Sequence, residues 1–131
     1  MQLTEAYQSA FSIGEIADKL SICLIKRSNH PSLTENELDG LNHIIEGLFN
    51  ILYHSILTNH PQRLISLLQG LSKLIEINSR QWEAEDRLRE EMTPEAAIAA
   101  RRINSERVAA KNEIDKVFGL VGDIKLYKGE G

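Results

Sequence analysis

Three short interruptions, Asn29-His30-Pro31-Ser32, Asn59-His60-Pro61 and Met92-Thr93-Pro94, cut this chain into segments that each repeat apolar residues at i, i+3 and i+4. Proline lacks the amide that continues a helix and biases the residue before it away from helical geometry. The apolar spacing between the stops is that of one buried helix face. Four helices joined by turns this short place sequential neighbours antiparallel. The expected fold is therefore all-α, an antiparallel four-helix bundle with long third and fourth helices and a short C-terminal tail. No βαβ pattern, hairpin signal or internal repeat competes with it.

The stops also carry start signals. Ser12-Ile13-Gly14-Glu15 and Thr34-Glu35-Asn36-Glu37 have the form of capping boxes, a hydroxyl cap with a carboxylate three residues on. Thr93 followed by Pro94 and Glu95 is an N-cap with proline at the first helical position. The first helix carries Ile13, Ile16, Ala17, Leu20, Cys23 and Leu24 on one side. Ile22 and Ile25 lie on the other, beside Asp18. A helix apolar on two sides is sandwiched, by its own neighbours or by a second subunit, so a homodimer is expected. The second stripe is broad: Leu38, Leu41, Ile44, Ile45, Leu48, Phe49, Leu52 and Ile56. The third helix is expected from about Pro61 to Glu91, with Gly70 as a kink or break. The fourth presents Ala96, Ala99, Ala100, Ile103, Ala110, Ile114, Val117 and Phe118, ending at Gly119. Residues 1–11, with Leu3, Tyr7 and Phe11, form an N-terminal segment. Residues 12–118 form the bundle, and 119–131 the tail, in which Ile124-Lys125-Leu126-Tyr127 has some strand character.

Composition narrows the function classes. At 131 residues, 42% hydrophobic and 26% charged, the chain is long enough for one domain with a real core. The net charge of −4, with acids and bases interleaved, argues against a nucleic-acid partner. No apolar run approaches the ~20 residues that span a bilayer, and the first residues lack a signal-peptide pattern. A cytoplasmic location away from membranes is the expectation. The single cysteine, Cys23, reads as a buried, inert thiol. Paired Glu-x-x-His, His-x3-His, Gly-x-Ser-x-Gly and P-loop patterns are absent, so transition-metal, serine-nucleophile and P-loop chemistry lack their residues. His30 and His60 precede prolines, where a turn role is the simpler reading.

What remains is charge in the wrong place. The third stripe, Leu64, Leu67, Leu71, Leu74 and Ile75, runs at ~100° per residue straight into Asn78, Trp82, Glu85 and Arg89, with Asp86 beside them. On the next helix Asn104, Arg107 and Lys111 share a core-facing side. Asp18 and Lys19 join from the first helix. Buried charge is expensive unless paired. The bland reading is an interhelical ion-pair network. The sharper one is a site for a small ligand or a protein partner, a pocket whose carboxylates take Mg²⁺ or a cationic group and whose Arg and Lys side chains take an anion such as phosphate. No cofactor is implied, apart from Mg²⁺ under the alternative reading below.

These residues fall in three blocks: Ser12-Ile13-Gly14-Glu15-x2-Asp18-Lys19-Leu20-Ser21-Ile22-x2-Ile25-Lys26, Asn78-x3-Trp82-x2-Glu85-Asp86-x2-Arg89, and Asn104-x2-Arg107-x3-Lys111-x2-Ile114-Asp115. Together they resemble a group of uncharacterised bacterial all-helical proteins, domains of unknown function, some of which occur near sugar-transfer and cell-surface polysaccharide genes. The resemblance spans about residues 12–118. It implies the bundle and the choice of site residues, with a phosphorylated or sugar-nucleotide ligand as the associated expectation, and brings no activity with it. A second likeness is to the all-α nucleoside triphosphate pyrophosphatases, which bind Mg²⁺ through Glu-x-x-Glu and Glu-x-x-Asp. Glu15-x2-Asp18 and Glu83-x2-Asp86 are the matching pairs here. The first ends in Asp, and a whole helix separates the two. That likeness implies a Mg²⁺-dependent nucleotide pyrophosphohydrolase with those four carboxylates as ligands. A purely structural or assembly role is the third alternative.

Overall fold

The computed structural model describes residues 12–30, 32–59 and 61–118, and the expectations for the N-terminal segment, His60, Gly119 and the tail lie outside them. The described residues form four α-helices: α1 (Ile13–Asn29), α2 (Glu35–Asn59), α3 (Leu64–Glu91) and α4 (Pro94–Val117). None of these helices is long and apolar enough to cross a membrane.

The caps form as their sequences predict. Ser12 Oγ accepts the Glu15 amide at 3.1 Å. In α2 the box is reciprocal: the Glu37 amide donates to Thr34 Oγ1 at 3.1 Å and the Thr34 amide to Glu37 Oε1 at 2.9 Å. These bonds hold the Glu37 carboxyl below its ordinary range. Thr93 Oγ1 accepts from Ala96 N at 3.1 Å, with Pro94 in the first turn. The third helix differs from expectation. Pro61–Arg63 is a 3₁₀ turn, α3 starts at Leu64, and it passes through Gly70 unbroken. Gly70 is there for contact: a Cβ at this position would lie 2.6 Å from Ile114 Cγ1.

The chain runs up-down-up-down, but the four helices do not share contacts equally. α3 and α4 make an antiparallel hairpin, with Lys73 near Glu113 and Arg80 near Glu106. α1 lies along that hairpin and packs on all three other helices, while α2 leans on α1 and the 3₁₀ turn and barely touches α3. Both apolar sides of α1 are therefore covered within one chain. At the start of α1 the Gly14 amide donates to Asp115 Oδ1 at 2.8 Å. A Cβ on Gly14 would stand 2.3 Å from the Lys111 carbonyl oxygen, so only glycine allows α1 to sit this close to α4. The core is aliphatic, centred on Ile16, Leu20, Leu52, Ile56, Leu74, Ile77 and Ile114. Burying each such side chain contributes ~1.5–3 kcal/mol before entropy is counted.

Candidate functional site

Asp18 is the centre of the charged residues, and it sits on the first helix rather than at the α3–α4 turn. Its carboxylate is enclosed, with 4% of the side chain exposed, and faces Arg107, 28% exposed. Arg107 Nη2 donates to Asp18 Oδ2 at 2.8 Å, and Nε lies 3.1 Å from both carboxylate oxygens. Asn78 Nδ2 donates to Asp18 Oδ1 at 2.8 Å and to Ser21 Oγ at 2.7 Å. Ser21 Oγ in turn donates to the Asp18 carbonyl at 2.7 Å. Asn104 Oδ1 accepts from Arg107 Nη1 at 3.2 Å. Three helices are thus pinned at one height, α1 through Asp18 and Ser21, α3 through Asn78, α4 through Arg107.

The chemistry of this cluster is self-contained. Both Asp18 oxygens are occupied by a guanidinium fork and an amide, the geometry in which charge-assisted bonds are strongest. The Asp18 hydrogen bonds, opposed by partial burial and assisted by the charges of Asp18 and Glu85, raise the Arg107 pKa above its ordinary value. Both carboxylate oxygens are turned to these partners, and three of the five guanidinium N–H groups are committed to Asp18 and Asn104.

Of the ten residues singled out for a ligand, Asp18, Asn78, Asn104 and Arg107 come together. Trp82 is half-buried one turn beyond Asn78, its ring edge-on to His30 with centroids 5.1 Å apart. Glu85 is exposed. It accepts from Gln81 Nε2 at 3.1 Å and acts on Arg107 only through its charge. Asp86 and Arg89 pair with each other on the surface. Lys111 is half-buried and Lys19 exposed. The expected cluster is cut back to the residues level with α1, because α1 ends at Asn29, opposite Trp82. Beyond that point α3 has only α4 to pack against, and its inward stripe turns to water.

Ser21 was not singled out for the site, although it lies one turn after Asp18 on the same side of α1. Gln81 was missed as well; its Oε1 is buried without a hydrogen-bond partner. The carboxylate set Glu15, Asp18, Glu83 and Asp86 does not gather: among the described residues no three His, Cys, Asp or Glu side chains are placed to hold a metal ion. Asp18 is turned to Arg107 and Asp86 to Arg89, while Glu83 faces solvent. Cys23 is partly enclosed, and burial raises its thiol pKa, in keeping with an inert role.

A second region stands out, roughly 160° around α1 from Asp18, since Leu20 follows two residues later at ~100° each. Here α2 and the first half of α3 diverge over Leu20. They leave a groove of about 300 Å³ lined only by apolar and aromatic residues, among them Phe49, Leu52, Tyr53, Leu64, Leu67 and Leu68. Its rim is open to water: Phe49 is 54% exposed, Tyr53 49% and Leu68 54%. Phe49 and Tyr53 stack with ring centroids 6.2 Å apart. Ile44 and Phe49, expected in the core, are on the surface because α2 has a single strong neighbour and buries only the side facing α1.

Comparison of the chain with protein families, with curated proteins and with solved structures finds no match. The resemblance to uncharacterised helical proteins rests on its three residue blocks alone.

Proposed function

We propose that this protein works as a protein-interaction module, a helical bundle that takes a helix of another chain into the apolar groove between α2 and α3. The observation that carries this reading is an all-apolar groove whose rim, Phe49, Tyr53 and Leu68, remains exposed. Contiguous exposed apolar surface of this kind is the usual mark of a binding face, and laying an apolar helix face into a groove is a common mode of recognition. The homo-oligomer expected from the sequence falls under the same reading, with the occupant drawn from a second copy. The polar cluster serves this function indirectly, by fixing α1, and with it the groove floor at Leu20, on the α3–α4 hairpin. A small anionic ligand is not favoured, because Arg107 and Arg89 are engaged within the chain.

The test is fluorescence anisotropy with a labelled amphipathic peptide whose one face is leucine. Binding to the native protein, lost in Phe49→Glu/Leu68→Glu with the fold intact by circular dichroism, is the expected result. Binding that survives the double substitution, or that is lost in Asp86→Asn/Arg89→Gln instead, contradicts it.

A further inference from the structure

Beyond the apolar lining of the groove, its α2 wall continues into acids. On α2, Glu35, Asp39, Glu46, Phe49 and Tyr53 follow one another at spacings of three, four or seven, so they form one stripe that runs from the groove edge at Phe49 and Tyr53 toward the start of α2. All five are exposed, and α2 has no Lys or Arg in its 25 residues. A helix that matches this wall is apolar where it meets Phe49 and Tyr53 and basic where it continues past Glu46.

Such a helix face is present in this protein. On α4, Ile98, Arg101, Arg102, Ser105 and Val108 share one exposed side, with Ile98 50% and Val108 44% exposed. Arg101 and Arg102 make no ion pair within 4 Å with a described residue, although the charge of Arg102 also acts on Glu106. Of the acids of α4 that adjoin this face, Glu106 is held toward α3 by Arg80 at 2.7 Å and Glu113 by Lys73 at 3.3 Å, while Glu95 stands exposed in the first turn, at the far end from Val108. Ile98 to Val108 covers about 15 Å of helix, and Asp39 to Tyr53 about 21 Å, so the one fits within the other. The α4 face lies about 180° from Arg107, pointing away from α1, and the groove lies on the far side of α1. A chain cannot place its own α4 face in its own groove.

We infer that the occupant of the groove is the outer face of α4 from a second copy of this chain, with Arg101 and Arg102 set against Asp39 and Glu46. This rests on the protein-interaction reading above and names the partner. The contact joins two different surfaces, so it is head-to-tail and leaves one groove and one α4 face free at the ends for further copies. A symmetric α2-to-α2 dimer would instead set acid against acid, which disfavours it.

The test uses the intact protein and two variants, Phe49→Glu/Tyr53→Glu, which spoils the groove, and Arg101→Glu/Arg102→Glu, which spoils the α4 face. All four positions are exposed, and circular dichroism confirms folding. In sedimentation velocity the native chain is expected to grow beyond a dimer with concentration and to dissociate as salt screens the charges. Each variant alone is expected to associate roughly tenfold or more weakly. Mixed, they are expected to form a 1:1 pair that grows no further, the intact α4 face of one seated in the intact groove of the other. Should the groove variant fail to fold, the Arg101→Glu/Arg102→Glu chain mixed with a limiting amount of native protein carries the test, capping its growth. Growth that is unchanged by Arg101→Glu/Arg102→Glu overturns the inference. A native chain that stays monomeric while still binding the leucine-faced peptide also overturns it, yet leaves the interaction reading standing. Loss of both removes both.

Discussion

At the middle of the bundle Asp18 is charged and enclosed; on the flank Phe49 and Leu68 are apolar and open to water. Each inverts the rule that apolar groups go inside and charges outside, and they do so with opposite consequences. Both oxygens of the enclosed carboxylate are engaged by Arg107 and Asn78. Its effect is confined to the fold, where it sets the height of α1 against α3 and α4. The exposed apolar rim has no partner within the described chain. Its effect is on whatever comes to cover it. On the reading proposed above, unsatisfied surface rather than residues able to do chemistry marks the functional face.

The sharpest break in this comparison comes from Arg107→Ala, which leaves the Asp18 carboxylate enclosed without its cation. Losing one partner of a buried pair costs about 3–5 kcal/mol, and the partial exposure of Arg107 puts this case near 3 kcal/mol. In a chain of this size that lowers Tm by roughly 10 °C. Replacing both members, Asp18→Leu with Arg107→Met, is expected to recover most of the loss, because apolar isosteres often match a buried pair. Thermal unfolding of the single and double variants decides it, and a double variant no better than the single one would mean that the pair is not the unit.

Gly14→Ala is next. The new Cβ meets the Lys111 carbonyl, a backbone atom that cannot step aside, so α1 shifts on α4 at a cost of roughly 1–3 kcal/mol. A urea midpoint equal to that of the native protein would show that the approach of α1 to α4 is not tight.

Acid separates the inside of the hairpin from its surface. Arg80 hydrogen bonds hold the Glu106 carboxyl below its ordinary value of 4.5. A depressed carboxylate adds stability that is present above its unfolded value and lost as pH falls through its folded one. Glu106→Gln is therefore expected to lower stability slightly at neutrality, where the exposed pair is fully ionised, to leave it unchanged near pH 3, and so to flatten the loss below about pH 4.5. Urea titrations at pH 3 to 7, set roughly by the carboxylate range, measure the slope; an unchanged acid limb contradicts it.

The smallest stability change is expected on the flank. Phe49→Glu/Leu68→Glu touches solvent-facing positions, so stability moves by only about 0.5 kcal/mol per site, while peptide binding is lost. A large loss of stability would mean that the rim belongs to the core.

The bundle was legible because its signals are local. Thr34 with Glu37, and Thr93 with Pro94, announce helix starts through bonds made within four residues. Asp18, Asn78 and Arg107 were legible for a related reason, since charge on a core-facing side must find a partner. Two features were hidden because they depend on how many neighbours a helix has. The eight apolar residues of the α2 stripe look alike in sequence, and only the lack of a second strong neighbour leaves Ile44 and Phe49 outside. Glu85, Asp86 and Arg89 continue the inward stripe of α3, yet α1 stops short of them. Where one helix ends relative to another is a tertiary fact, and local spacing carries no trace of it.

The central claim, that the flank and not the charged cluster is the working surface, is tested most directly by mapping backbone amide shifts during titration of isotope-labelled protein with the leucine-faced peptide. The account predicts that shifts concentrate on Leu48 to Ile56 and Leu64 to Leu71, with Asp18, Asn78, Asn104 and Arg107 unmoved. Shifts centred on Asp18 and Arg107, with the flank silent, would contradict it.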